Sequence, residues 1–261
     1  MSTKRAKCIF VLPDQHYAPA HDREGGVDPL AESVALQALE VVKPTAFVNL
    51  GDAGEFSSCN HYIHKKVGRD RLTRVVSDLS IDAEAVNAGL DKWDKTLHMV
   101  GCKEKHFILG NHERFVQDII DEFPQIEELY APHKLLRLKE RGYKHYPVGS
   151  YVQFGKLMMA HGEHHNSRHH AYNALVSTGK SLLYGHNHSV QQYRIPTLDG
   201  ERGAWSIGCI AKLNKPFMGG RPTPWSHAFA IVHLERGGNF QVEICEIRDG
   251  KCHVWGNLIR G

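Results

Sequence analysis

No apolar run in this sequence exceeds five residues; Cys8 to Leu12 (CIFVL) and Ala228 to Val232 (AFAIV) reach that length. A membrane-spanning helix needs about 20, so no membrane association is expected. The basic start, MSTKRAK, leads only into the first of these runs before Pro13. That is too short for the apolar region of a signal peptide, and a cytoplasmic location is the expectation. Cysteine is scarce: six residues, widely spread and without a C-x-x-C pair, which excludes a disulfide scaffold and leaves free thiols. Internal repeats, low-complexity tracts and Pro/Ser-rich linkers are missing, so nothing marks a boundary and a single domain over residues 1–261 is expected. Neither sign of charge dominates, with 32 Lys and Arg against 29 Asp and Glu, while 41% hydrophobic residues suffice for a core. A disordered or collagenous chain is excluded.

What the sequence has in excess is histidine. Its 19 residues approach the total for Trp, Tyr and Phe together, and histidine is the commonest protein metal ligand. Five short apolar runs share an ending that fits this excess. Cys8 to Leu12 runs into Pro13-Asp14-Gln15-His16, Ala46 to Leu50 into Gly51-Asp52, and Phe107 to Leu109 into Gly110-Asn111-His112-Glu113. Leu157 to Ala160 runs into His161-Gly162, and Ser181 to Tyr184 into Gly185-His186-Asn187-His188. Each reads as a buried strand followed by a turn.

Helical patterns separate the first three runs. Asp28 and Pro29 form an N-cap and first helical position, after which Leu30, Val34, Ala38 and Val41 hold one face until Pro44. Val86, Leu90, Trp93, Leu97 and Val100 repeat at helical spacing before Gly101. Alternating strands and helices predict an α/β layer arrangement. Beyond residue 145 short β-like runs dominate (Tyr151 to Phe154, Ala204 to Ile207, His227 to Leu234, Phe240 to Ile247, Lys251 to Trp255), with one helix near 166–178. Two packed sheets flanked by helices accommodate both halves.

In open α/β sheets, loops converge beyond the carboxyl ends of the strands, and ligands collect there. Alternation along extended backbone sends residues i and i+2 to one side, so Asp14 pairs with His16 and His186 with His188. The candidate ligands are Asp14, His16, Asp52, Asn111, His161, His186 and His188. Seven N and O donors are more than one ion takes beside its substrate and water, whereas two ions sharing a bridging carboxylate would use them all. A set of carboxylate, imidazole and amide without thiolate suits Mn, Fe, Zn or Ni, and ligand type alone does not choose among them; two divalent transition-metal ions are expected, with Mn favoured.

These five motifs, in this order, closely resemble the calcineurin-like metallophosphoesterase superfamily, whose signature is D-x-H, G-D, G-N-H-[DE], H and G-H-x-H. The resemblance spans residues 14 to 188. It implies a four-layer α-β-β-α sandwich with two mixed β-sheets and the metal site at the C-terminal ends of strands. It also implies that Asp14, His16, Asp52 and His188 hold one divalent ion and Asp52, Asn111, His161 and His186 the second, with Asp52 between them. His112 then matches the family's site histidine, which contacts phosphate and helps the leaving group depart. Many phosphomonoesterase members, the Ser/Thr protein phosphatases included, read G-D-x-x-D-R-G at the second motif, where this chain has Gly51-Asp52-Ala53-Gly54-Glu55-Phe56. Glu55 stands where an Asp would orient the site histidine, and the Arg that would bind substrate phosphate is missing.

The expected function is hydrolysis of nucleotide or nucleic-acid phosphodiesters by water activated between two ions. The alternatives are a phosphomonoesterase or protein phosphatase, and a binding relative that has lost the chemistry. Candidate substrate contacts are Asn111, His112, and Lys65, Lys66 and Arg69 from the basic stretch 61–74. The loop Pro216 to Trp225 has aromatic residues suited to covering an organic group. Glu113 reads as structural, an acid favoured at a helix start. The cluster from His164 to His170 reads as either a further metal site or a solvated wall of the site mouth. Cys8 and Cys245 read as core thiols. The strand-rich C-terminal segments leave a homo-oligomer open.

Overall fold

The computed structural model describes residues 7–22, 25–60, 71–198 and 200–261. In chain order the elements are β1 (Lys7–Leu12), α1 (Pro29–Val42), β2 (Ala46–Asn49), α2 (Arg71–Met99), β3 (Glu104–Ile108), α3 (Asn111–Glu122), β4 (Tyr143–Tyr146), β5 (Val152–Phe154) and β6 (Leu157–Ala160). There follow α4 (His170–Thr178), β7 (Ser181–Tyr184), β8 (Val190–Thr197), β9 (Gly200–Ile207), β10 (His227–Leu234), β11 (Phe240–Ile247), β12 (Lys251–Val254) and β13 (Asn257–Arg260), with short helical turns between some of them.

Two mixed sheets result. The first has the order β11-β10-β1-β2-β3-β4, with β1 to β4 parallel and β10 and β11 antiparallel. The second has the order β5-β6-β7-β9-β8, with β6, β7 and β9 parallel. Strand alternation explains how they stack. Along β1, Phe10 and Leu12 enter the layer shared with α1, α2 and α3, whereas Ile9 and Val11 enter the layer between the sheets. Along β7, Leu183 joins that middle layer while Leu182 and Tyr184 pack against Ala171, Ala174 and Leu175 of α4. Three apolar layers therefore separate helices, sheet, sheet and helix, the sandwich expected from the sequence. The hairpin β12-β13 packs on α1 through Cys252, Val254 and Ile259.

Two local features differ from the sequence reading. Helix α1 is capped as expected, Asp28 accepting from the backbone N–H groups of Leu30 and Ala31. Its buried face is Ala31, Val34, Ala35, Ala38, Leu39 and Val42, whereas Leu30 and Val41 are exposed. The buried stripe is wider than the expected one and rotated from it, alternating Ala with Val and Leu. Within the described residues helix α2 runs from Arg71 to Met99 and buries the expected Val86, Leu90, Trp93 and Leu97 completely, while Val100 of the expected face lies just past its end and is half-buried. Among the described residues no helix is long and apolar enough to cross a membrane.

Candidate metal centre

The parallel strands of both sheets end at one edge, and the loops after β1, β2, β3, β6 and β7 bring all seven candidate ligands together there. Asp14, His16, Asp52, His161 and His188 are buried; Asn111 and His186 are half-buried. They form two groups. In the first, His188 Nε2 lies 3.3 Å from Asp14 Oδ1 and 3.0 Å from His16 Nε2. In the second, His161 Nε2 lies 2.8 Å from Asn111 Oδ1, 3.2 Å from His186 Nδ1 and 3.3 Å from Asp52 Oδ2. The same Asp52 oxygen is 3.8 Å from His16 Nε2, so Asp52 stands between the groups.

The grouping comes from left-handed backbone rather than from extended alternation. His16, Asp52, His186 and His188 have φ of 54°, 48°, 65° and 55°, a region that costs a non-glycine residue energy and is concentrated at functional sites. His186 and His188 consequently serve different groups. Glycines permit the close approach: a Cβ at Gly110 would collide with Asp52 Oδ1, and one at Gly185 with Asp14 Oδ2.

Hydrogen bonds fix which atoms face inward. His161 Nδ1 donates to the Leu50 carbonyl at 2.9 Å, leaving Nε2 for the cluster. The backbone N–H of His186 donates to Asp14, and that of His112 to Asp52 Oδ1 at 2.8 Å. Glu113 is fully buried and accepts from the N–H groups of Gly110 (2.7 Å), Asp52 (2.9 Å) and Ala53 (2.9 Å). Its structural role is thus to tie the second and third loops together, more than to meet a helix dipole. Burial and the neighbouring Asp52 charge both push its pKa upward.

The electrostatics suit cation binding. Burial opposes ionisation of Asp52, but His161, His112 and His16 outweigh it and hold the carboxyl well below the usual range. Asp14 is lowered in the same way by His188. Burial, reinforced by Lys215, lowers His16 to about 4, and burial with His161 lowers His186 to about 4, so both are neutral imidazoles near pH 7. His161 is the exception: burial disfavours its charge, yet Asp52 and Asp14 raise it to about 10. A cation placed between these carboxylates would take over the role of that proton.

The donor set fits divalent metal. N and O ligands about 2.0–2.2 Å from one ion stand roughly 2.8–3.5 Å from each other, and the separations within both groups fall in that range. His16 Nε2 and His188 Nε2, 3.0 Å apart in a buried place, are close enough to share a proton in the metal-free fold and to ligate one ion in its place.

Compared with solved structures, the chain is similar to Vps29 of Chaetomium thermophilum, at 10% identity over 94% of this chain and 93% of that one, with a TM-score of 0.47. It is also similar to a dimetal phosphatase from Danio rerio (12% identity, 89% and 94% covered, TM-score 0.42) and to YfcE, a phosphoesterase from E. coli (11%, 88% and 88%, TM-score 0.38). No family model matches the sequence, and no curated protein does. The chemistry rests on this chain's own side chains.

His112 lies beside the ligands. Its ring meets that of His16 edge-on at 4.5 Å, its Nε2 is 3.9 Å from Asp52 Oδ2, and its Nδ1 donates to the backbone carbonyl of Glu55 at 2.7 Å. The expected orientation of His112 by the Glu55 carboxylate is therefore corrected. The carboxylate oxygen nearer to His112 is 3.9 Å from Nδ1, while the other is 2.9 Å from His16 Nδ1 and 2.7 Å from Lys215 Nζ. Position 55 is held by its backbone, through Glu55 N–H to the Tyr17 carbonyl at 2.9 Å, and this aims the side chain at His16.

Lys215 was not visible from sequence. It follows β9, which runs parallel to β7 and so opens onto the same edge, but its run ends in Gly208-Cys209-Ile210-Ala211 without ligand-type residues. Trp225, in the loop singled out earlier, packs its ring 4.3 Å from that of His188. The His164–His170 cluster divides: His164 and His169 are exposed, whereas His165 and His170 are buried supports. The buried His170 ring bonds Tyr184 Oη (2.6 Å) and Ser189 Oγ (2.9 Å), His165 is buried beside Tyr184 with its carbonyl accepting from Asn187, and burial lowers the pKa of both rings. His165 and His169 precede α4 and share no helix face. Lys65, Lys66 and Arg69 lie outside the described residues. Cys245 is buried and Cys8 half-buried, and both are free thiols.

Proposed function

We propose that this chain is a calcineurin-like, dinuclear metal-dependent phosphoesterase that hydrolyses phosphodiesters of nucleotides or nucleic acids. The observation that carries the reading is the pair of ligand groups on either side of Asp52, with His112 next to them. Asp14, His16 and His188 would hold one divalent ion and Asn111, His161 and His186 the other, with Asp52 shared; Mn is favoured, and Zn, Fe or Ni are compatible with the donors. Bound there, two cations supply charge neutralisation at phosphate oxygens and an activated water. Asn111 and His112, which lie beside His161 and Asp52, would contact the phosphate. His112 has its Nδ1–H fixed by the Glu55 carbonyl, so the proton given to a departing ester oxygen comes from Nε2, an effect worth roughly 10²–10⁴ in rate. Trp225 offers a half-buried aromatic face beside His188 for the organic group.

The preference for diesters is supported by the cations near the centre. A monoester dianion gains from an additional fixed cation such as Arg. Among the described residues, position 56 is Phe, the Lys215 ammonium is committed to Glu55, and Arg114 turns to Asp118 at 3.6 Å. We expect kcat/KM on bis(4-nitrophenyl) phosphate to exceed that on the mononitrophenyl ester under matched metal and pH. Faster monoester hydrolysis would favour a phosphomonoesterase, and no hydrolysis of either ester by the metal-loaded chain would favour a binding protein.

A further inference from the structure

Lys215 sits between β9 and the short turn Pro216–Met218, yet its side chain is buried at the metal centre. Its Nζ is 2.7 Å from Glu55 Oε2, and that same oxygen is 2.9 Å from Nδ1 of His16. The far side of the His16 ring, Nε2, is 3.0 Å from His188 Nε2 and 3.8 Å from Asp52 Oδ2. Three buried groups from the loops after β9, β2 and β1 thus form one line that ends on a candidate ligand atom.

Each link has a physical reason. The Glu55 oxygen lies close to His16 Nδ1 but off its N–H axis, so the attraction is electrostatic rather than that of an aligned hydrogen bond. An unprotonated, electron-rich Nδ1 that close to a carboxylate would be repelled even off axis, which places the hydrogen on Nδ1 and leaves Nε2, on the side of Asp52 and His188, as the nitrogen that would ligate. Such a carboxylate behind a ligating histidine fixes the tautomer and raises ligand basicity. A buried carboxylate in turn requires a countercharge, which one imidazole N–H does not provide and the ammonium does. Lys215 is itself held in place: its carbonyl accepts from Met218 N–H at 3.0 Å, and Nζ lies 6.0 Å from the Trp225 ring centroid.

We propose that Lys215 and Glu55 are positioning residues for one half of the metal centre, the ammonium keeping the carboxylate behind His16 so that Nε2 faces the ion shared with Asp14 and His188. The proposal rests on the two-ion reading above. It assigns Lys215 to the metal ligand rather than to substrate phosphate.

The test is a calorimetric titration of metal-free protein with Mn(II) at one pH, beside thermal melting, for wild type, Lys215→Met, Lys215→Gln, Lys215→Arg and Glu55→Gln. Lys215→Met should weaken one binding step about 10–100-fold and leave the other within about threefold, with Lys215→Arg regaining most of the loss. Glu55→Gln should weaken the same step. If Lys215→Met fails to fold, Lys215→Gln carries the comparison. Unchanged affinities in the Met or Gln variant, equal weakening of both steps together with a lower melting temperature, or an Arg variant as weak as Met would each overturn the proposal. A wild-type protein that binds fewer than two ions would overturn the two-ion reading before any variant is compared, and this proposal with it.

Discussion

His112 and His161 are both histidines of the same cluster, and their surroundings give them different tasks. His112 is anchored at Nδ1 and stands apart from the close donor contacts. His112→Ala should keep its metal while kcat falls roughly 10²–10³-fold on esters with poor leaving groups, and less on nitrophenyl esters that need no proton. Equal losses on both ester types would assign it to phosphate positioning instead. His161 carries a proton in the metal-free fold, with its pKa raised from 6.5 to about 10. Its contribution to metal-free stability is fully present below 6.5 and is lost as pH rises through about 10. An ion must displace that proton, so near pH 8 metal uptake should release about one proton per chain from His161, and apparent affinity should climb with pH until about 10. Calorimetry in buffers of different ionisation heat measures the release, and none would contradict the placement of His161 among the ligands. Glu113 belongs to the fold rather than the chemistry. Glu113→Ala leaves three buried N–H groups without their acceptor and should cost about 2–4 kcal/mol, read as a lower urea midpoint at unchanged slope.

At the scale of the element, strands β1, β2, β3, β6 and β7 were legible because each is a short apolar run closed by a turn, and α2 because its buried face repeats at helical spacing. What was not legible has physical causes. Strand β8 (VQQYRIPT) lies at a sheet edge with most of its side chains half-buried or exposed, so no apolar run marks it. Strand β4 (YKHY) is short and polar. The ligand set could be read from residue types, but the left-handed turns that send His186 and His188 to different groups could not, because φ at a non-glycine residue leaves no trace in composition. Nor did spacing reveal that Lys215 reaches Glu55, since 160 positions separate them. The loops themselves can be tested at the glycine that lets two of them touch. Gly110→Ala inserts a methyl group against Asp52 Oδ1, so metal affinity should drop at least about tenfold while far-UV circular dichroism is retained. Wild-type affinity in that variant would show that the loops do not need this close approach.

Across the whole molecule, the two sheets bring their parallel strands to a common edge, and this is why residues as distant as Asp14 and His188 share one site. Metal that binds the folded chain alone should stabilise it by about 2.7 kcal/mol at a free concentration of 100 times Kd, a rise in melting temperature that chelation should reverse. The central claim is that Asp52 is common to two ions. Its most direct measurement is the metal content per chain of Mn- or Zn-loaded protein after gel filtration, for wild type and Asp52→Asn. Wild type should hold about two ions and Asp52→Asn should lose metal from both positions; a fully active protein with one ion or none, or an Asp52→Asn variant that keeps both, would contradict the sharing of Asp52.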